Sequence, residues 1–262
     1  MQADRNIKIY QEVYRYLESI TPDGVQLENY IEGNKKDITS LLDVYIRFIG
    51  SAQNYQRMPN VIKFYQHYEN GELNELLCDF DVEKIAFLSE ENLYNQFCQA
   101  FQVQPSDDKR NCWHKWSCSV IDSAKFVKSF TDVEDFKRFV NQFNYNVQTR
   151  MALPLLIQTK IRGIGFALAC DALKELGFTE YSKPDVHLKD VLSGIGLCEN
   201  NPYAVFEAID QMAQDCKVVD KTVTPYKIDK IIWLICSGKF YNDKVKGNRH
   251  KKELIGKLKD LK

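Results

Sequence analysis

No stretch of this chain is apolar for long enough to span a bilayer. The longest uninterrupted apolar run, Ile231 to Cys236, falls far short of the ~20 residues a membrane helix needs. The opening residues MQADRNIKIY have no apolar signal core, so no secretory leader is expected. Neither sign of charge dominates: 35 Lys and Arg stand against 36 Asp and Glu, a formal net charge of −1, so attraction to a polyanion must come from a local surface. Strand-like alternation and internal repeats are both missing, which predicts a predominantly α-helical protein. Four ligands at zinc spacing are missing too. The segment CWHKWSC offers Cys112, His114 and Cys118 as a metal or redox site, but the better-supported reading has Trp113 and Trp116 filling a pocket between helices with the thiols free. Eight cysteines without a paired framework favour reduced thiols and a cytoplasmic location, with Cys170 and Cys236 in the core.

The 262 residues, 44% hydrophobic and 12% aromatic, can fill the core of one large domain or two small ones. An apolar stripe through Ile7, Tyr10, Val13, Tyr14 and Leu17 predicts a first helix that ends at Thr21-Pro22-Asp23-Gly24. Ile38 to Ala52 predicts a second, more apolar one, and a third restarts at Val61 after Arg57-Met58-Pro59-Asn60. One or two helices are expected over 81–103 and a polar connection over 104–111. Thr131 to Glu134 (TDVE) is a capping box that opens a helix to about Phe143, and another begins near Val147. Pro202 and Thr224-Pro225 open two more, and Gly238 closes the last of them. The tail carries Lys244, Lys246, Arg249, Lys251, Lys252, Lys257, Lys259 and Lys262 against only Asp243, Glu253 and Asp260, which is either a solvated face or a phosphate-facing one.

The chain is organised around Leu155 to Leu188. Helical periodicity through Lys160 meets Gly163-Ile164-Gly165, resumes from Phe166 to Leu176 and stops at Gly177, with Asp185 shortly afterwards. Two glycines let the backbone bend sharply, and the N–H groups that start the second helix suit an anion such as a phosphate. Alternatively the hairpin is a plain packing turn between antiparallel helices. Asp185 precedes VHLKDVL, so it is expected to cap a helix whatever else it does.

Three separated stretches resemble the helix-hairpin-helix DNA glycosylases of the endonuclease III superfamily: IRGIG followed by FALACDALKELG and PDVHL, then FIGSAQ at 48–53, and KIDKIIWLICSGKFY at 227–241. They occur in the family's order and cover less than a third of the chain. The resemblance implies an all-α, two-lobed fold with a central cleft. One lobe would span 44–184, with the helix-hairpin-helix at about 151–176, and the other would combine 1–43 with 185–262. It implies a DNA N-glycosylase of base-excision repair acting on a damaged or modified base in double-stranded DNA, as a monomer that is nucleoid-associated if prokaryotic. Asp185 would be the catalytic carboxylate, stabilising positive charge on the sugar and orienting water. Gly163, Ile164 and Gly165 would hold a phosphate, Gln53 would fill the gap left by the extruded base, and Tyr55 or Arg57 would stack there. His187, Gly238 and Lys239 would also face DNA. A monovalent cation at the hairpin carbonyls is implied by the family alone.

Two departures narrow this reading. The bifunctional members carry a catalytic lysine two residues after the second hairpin glycine, and here that residue is Ala167, so the chain resembles the monofunctional branch. Lys160 and Lys183 are near in sequence, but neither sits at the family's position. No cysteine lies in 242–262, which excludes an iron–sulfur cluster in the loop where many members hold one. A non-catalytic helix-hairpin-helix DNA-binding protein, or an unrelated helical interaction protein with fortuitous glycines, are the alternatives.

Overall fold

The computed structural model describes residues 2–32, 37–55, 58–108 and 110–261, and they are predominantly helical. Two helices come first, α1 (Gln2–Ile20) and α2 (Glu28–Ile31). Contacts divide the chain into a continuous unit, 38–172, and a discontinuous one, 1–37 with 173–262. These boundaries differ from the 44 and 184 expected. Ile38 is already buried, and Lys174 and Glu175 are committed by ion pairs to Asp229 and Lys230 of the discontinuous unit.

The continuous unit opens with α3 (Leu41–Ala52), which starts at Leu41 rather than Ile38 because Ser40 and Asp43 form a reciprocal capping box. The helix expected from Val61 is split by Lys63, whose φ of 48° separates α4 (Pro59–Ile62) from α5 (Phe64–Glu69). Two helices, α6 (Val82–Ile85) and α7 (Glu90–Ala100), occupy the 81–103 stretch. The centre of this unit is α8 (Cys112–Val127), which sequence periodicity did not reveal. Every residue from Trp116 to Ala124 is buried, so no polar face exists to create a stripe. Asn111 caps it, accepting from the N–H groups of Trp113 and His114. Trp116 donates from Nε1 to the Ile49 carbonyl at 3.0 Å, and its ring packs against Phe97 and Phe64. The tryptophans of CWHKWSC therefore fill the core, as the packing reading required.

Then come α9 (Val133–Gln142), α10 (Val147–Lys160) and α11 (Phe166–Glu175), the last containing the boundary between units. The cap of α9 is Asp132 and not Thr131. Asp132 takes the extended conformation and its carboxylate accepts from Asp135 N–H at 2.8 Å, while Asp135 reaches back to the Thr131 N–H at 3.1 Å.

The discontinuous unit is completed by α12 (Val186–Gly194), α13 (Pro202–Cys216), α14 (Pro225–Ser237), a two-residue ribbon of β1 (Lys239–Phe240) and β2 (Val245–Lys246), and α15 (Lys251–Lys259). Pro202 and Pro225 occupy first turns behind the caps Asn201 and Thr224, as expected. All of α14 except Trp233 is buried, and α1, α2, α12, α13 and α15 pack on it. Its interior charges are paired: Lys227 with Asp220 at 2.9 Å, Asp229 with Lys174 at 2.7 Å, and Lys230 with Glu175 at 2.8 Å. Cys170 and Cys236 are buried in their respective units. Among the described residues no helix is long and apolar enough to cross a membrane.

The assignment of the α9 cap is tested by equilibrium unfolding. Asp132→Ala is expected to lose about 1 kcal/mol, the usual loss of a cap, and Thr131→Ala a few tenths at most. Equal losses for the two would restore Thr131 as the cap.

Candidate nucleic-acid interface

The hairpin joining α10 to α11 has the bend that its two glycines predict, and the glycines do different jobs. Gly163 has φ of 83°, and a Cβ there would stand 2.5 Å from Ser119 Oγ on α8. That hydroxyl donates to the Arg162 carbonyl at 2.6 Å, so the turn is pressed directly onto the buried helix. Gly165 is exposed, has open space where a Cβ would be, and uses its carbonyl to accept from the N–H groups of Leu168 and Ala169. It therefore caps α11, whose first-turn amides have no acceptor within the helix. Ile164, between them, points its side chain into the core and is 2% exposed.

A network of two carboxylates holds the hairpin from one side. Asp122, buried on α8, accepts from Arg162 N–H at 3.1 Å, Nε at 2.6 Å and Nη2 at 2.8 Å. Glu90, at the start of α7, takes Nη1 at 2.9 Å and Nη2 at 2.5 Å. This bidentate arginine holds the Glu90 carboxyl down to about 2. Cys118 donates to Glu90 at 3.4 Å, and burial together with that bond pushes its thiol up to about 11. A neutral, buried thiol is neither a nucleophile nor a ready metal ligand. No group of three or more His, Cys, Asp or Glu is placed to hold a metal among the described residues.

Beside the hairpin lies a concavity of about 570 Å³ within the continuous unit. Met58, Ile161 and Ile164 floor it, and Tyr55, Lys115 and the hairpin glycines stand around it. Tyr55, an expected stacking residue, is 39% exposed, and the Lys115 ammonium sits 5.2 Å from its ring centroid. Lys115 was not legible as a site residue, since nothing in CWHKWSC marks one lysine of a buried helix as facing a hairpin nearly fifty residues on. Gln53, the expected gap-filling residue, lies elsewhere. It is 5% exposed, and its side-chain carbonyl accepts from Phe64 N–H at 2.9 Å, joining α3 to α5. The expected projection of Gln53 is thus corrected: the amide closes a backbone gap inside the core. Arg57 and Lys262 lie outside the described residues. Of the hairpin carbonyls, those of Ile161, Arg162 and Gly165 accept hydrogen bonds from Ile164, Ser119 and the α11 amides.

The remaining expected residues belong to the discontinuous unit. Asp185 is half-buried and caps α12, its Oδ1 accepting from His187 N–H at 2.7 Å and Leu188 N–H at 3.2 Å. Its Oδ2 takes no hydrogen bond from the described residues. Burial lowers the His187 imidazole below its ordinary value, against the pull of Asp185 and with the help of Lys251 and Arg249. Lys251 is itself paired with Asp190 at 2.7 Å, and Arg249 is exposed. Part of the basic tail therefore stands around the Asp185 end of α12. Gly238 is left-handed, as a helix-closing glycine should be, but it is buried. A Cβ there would collide with the Asn248 and Gly247 carbonyls, so its glycine is explained by that close approach and not by an open DNA-facing turn. Lys239 beside it is exposed. Of the two alternative lysines, Lys160 is exposed at the end of α10, and Lys183 donates its backbone N–H to Asp229 at 2.6 Å. No family model, no curated protein and no solved structure matches the chain.

Two outcomes check this construction. Gly163→Ala is expected to destabilise by more than the ~1–2 kcal/mol of a left-handed L-residue, because the methyl also displaces Ser119, whereas Gly165→Ala is expected to be near neutral. The Glu90 carboxyl is depressed from its ordinary 4.5 to about 2, so its bond to Arg162 contributes fully above 4.5 and is lost as pH falls towards 2. The two side chains are 53% and 36% exposed, so the contribution is on the order of 1 kcal/mol after allowing for solvent. In acid unfolding series Glu90→Gln should lose that part of the pH dependence, and an unchanged profile would show that the bridge does not form.

Proposed function

We propose that this chain is a monofunctional DNA N-glycosylase, hydrolysing the bond between deoxyribose and a damaged or modified base in duplex DNA. The observation that carries the reading is the Asp185 carboxylate. One of its oxygens is pinned by the first amides of α12, and the other takes no hydrogen bond from the described residues. A capped carboxylate is rigid, as a group that must meet developing charge should be. In the proposed reaction the C1′–N bond breaks with its electron pair leaving on the base, which takes up a proton. Asp185 stabilises the resulting positive sugar, then accepts a proton from the water whose oxygen bonds to C1′. The product is an abasic site.

The hairpin supports the same reading from the binding side, with an exposed Gly165 at the head of α11 and Tyr55 and Lys115 around the adjoining concavity. Backbone amides at a helix start suit a phosphate, and an exposed tyrosine suits an unstacked base. Ala167 stands where a lyase would carry its lysine, so the strand is left uncut. A trapped adduct lost on Lys160→Ala or Lys183→Ala would overturn this. One observation favours the non-catalytic alternative: as the cap of α12, Asp185 already has a sufficient structural role.

Asparagine caps as well as aspartate, which makes Asp185→Asn the discriminating variant. Duplexes carrying a panel of lesions, incubated and then treated with alkali, should be cleaved by the wild-type chain and at least about a hundred-fold more slowly by Asp185→Asn at unchanged stability and DNA affinity. Borohydride should trap no covalent adduct. Duplex binding without release of any lesion would leave the non-catalytic reading standing. Absence of any salt-dependent affinity would remove both.

A further inference from the structure

The continuous unit has a second cavity, of about 730 Å³, that the hairpin does not line. Three helices each contribute one stripe to it: Asp122, Lys125 and Phe126 from α8, Asp135, Arg138 and Phe139 from α9, and Leu156 and Lys160 from α10. The volume lies within the ~300–1,000 Å³ of small-molecule sites. Its apolar lining is aromatic. Phe126, Phe130 and Phe139 stand with centroids 5.1 to 6.4 Å apart and planes inclined by 55° to 80°, leaving ring faces and edges for a further aromatic group.

The charges decide the sign of the ligand. Asp122 is consumed by Arg162, and Asp135 by Arg138 and the Thr131 N–H. What remains is Lys125 and Lys160, on different helices, both exposed and neither ion-paired with a described residue. An aromatic pocket with two exposed ammonium groups outside any ion pair, Lys125 attracted by Glu90 from beyond ion-pair distance, suits a flat ring that carries an anion.

The geometry points to a binding site for a nucleotide in this cavity, its base among the three phenylalanines and its phosphate between Lys125 and Lys160. This inference does not depend on the glycosylase reading, since neither Asp185 nor the hairpin amides take part. The same chemistry serves a free nucleoside monophosphate or the phosphorylated end of a strand.

Calorimetric titration of the full chain with adenosine monophosphate, adenosine and inorganic phosphate tests the site. The monophosphate is expected to bind, with adenosine and phosphate each at least about ten-fold weaker, because each keeps only half of the recognition. Lys125→Gln with Lys160→Gln should weaken the monophosphate by at least about ten-fold, the ~1.4 kcal/mol of one lost charge contact or more. Both lysines are exposed, so the fold is retained. Lys115→Gln, at the other concavity, should leave this binding unchanged. Competition by a 5′-phosphorylated oligonucleotide but not by its unphosphorylated form would identify a strand end as the source, and competition by neither a free nucleotide. The proposal is overturned if the monophosphate does not bind at millimolar concentration, or binds the double lysine variant as well as the wild type.

Discussion

The continuous unit depends on one buried carboxylate. Asp122 lies on a helix with almost no solvent-facing side, where an unpaired charge would be untenable, and it takes three N–H groups from Arg162. Because one of these is the Arg162 main-chain N–H, the interaction fixes backbone as well as side chain. The next residue is then forced left-handed against Ser119, and only glycine can follow. The phosphate-suited geometry at Gly165 is therefore inherited from α8 and not made locally by the glycines. Glu90 completes the arrangement, anchoring the start of α7 to the same guanidinium.

A related economy governs the discontinuous unit. Its central helix α14 carries two lysines and an aspartate into the interior, and each is paired with an acid or base from outside the helix. The partners Lys174 and Glu175 come from the last turn of α11, and the Lys183 N–H comes from the loop leading to Asp185. The chain that precedes the candidate carboxylate is thus held by Asp229 from behind, while the amides of α12 hold the carboxylate itself. Both ends of that short connection are fixed by hydrogen bonds to charged groups, which are the stronger kind.

Much of this was legible in the sequence where a local rule carries the information. Caps and prolines located the starts of α12, α13 and α14, and glycines located the hairpin and the end of α14, because each acts within a few residues of itself. Long-range burial was not legible. α8 carries no apolar stripe because it is buried on nearly every side from Trp116 to Ala124, and nothing local to Gln53 shows that the Phe64 N–H needs its carbonyl. Gly238 illustrates the middle case. Its left-handed backbone was predictable, but the carbonyls of Gly247 and Asn248 that cover it belong to a turn ten residues away. The Asp122, Glu90 and Arg162 network spans two helices and the hairpin turn, and in sequence these are only isolated charges.

The charge balance at the hairpin constrains how it could hold a polyanion. Arg162 is the arginine nearest the turn, yet with Asp122 and Glu90 it forms a triad of net charge −1, so it offers a phosphate no attraction of its own. On the proposed reading the grip falls to main-chain dipoles at the head of α11 and to Lys115, with Lys125 and Lys160 facing the other cavity. Amides aligned at a helix start add a fixed dipole for one anion, and each lysine that neutralises a phosphate releases counter-ions, which would give the affinity its salt dependence. On the same reading one phosphate would be held at one place by geometry, since a net charge of −1 supplies no overall attraction to duplex. On that reading the arrangement would favour recognition of a particular site over general attraction to DNA, as the proposed excision of single bases requires.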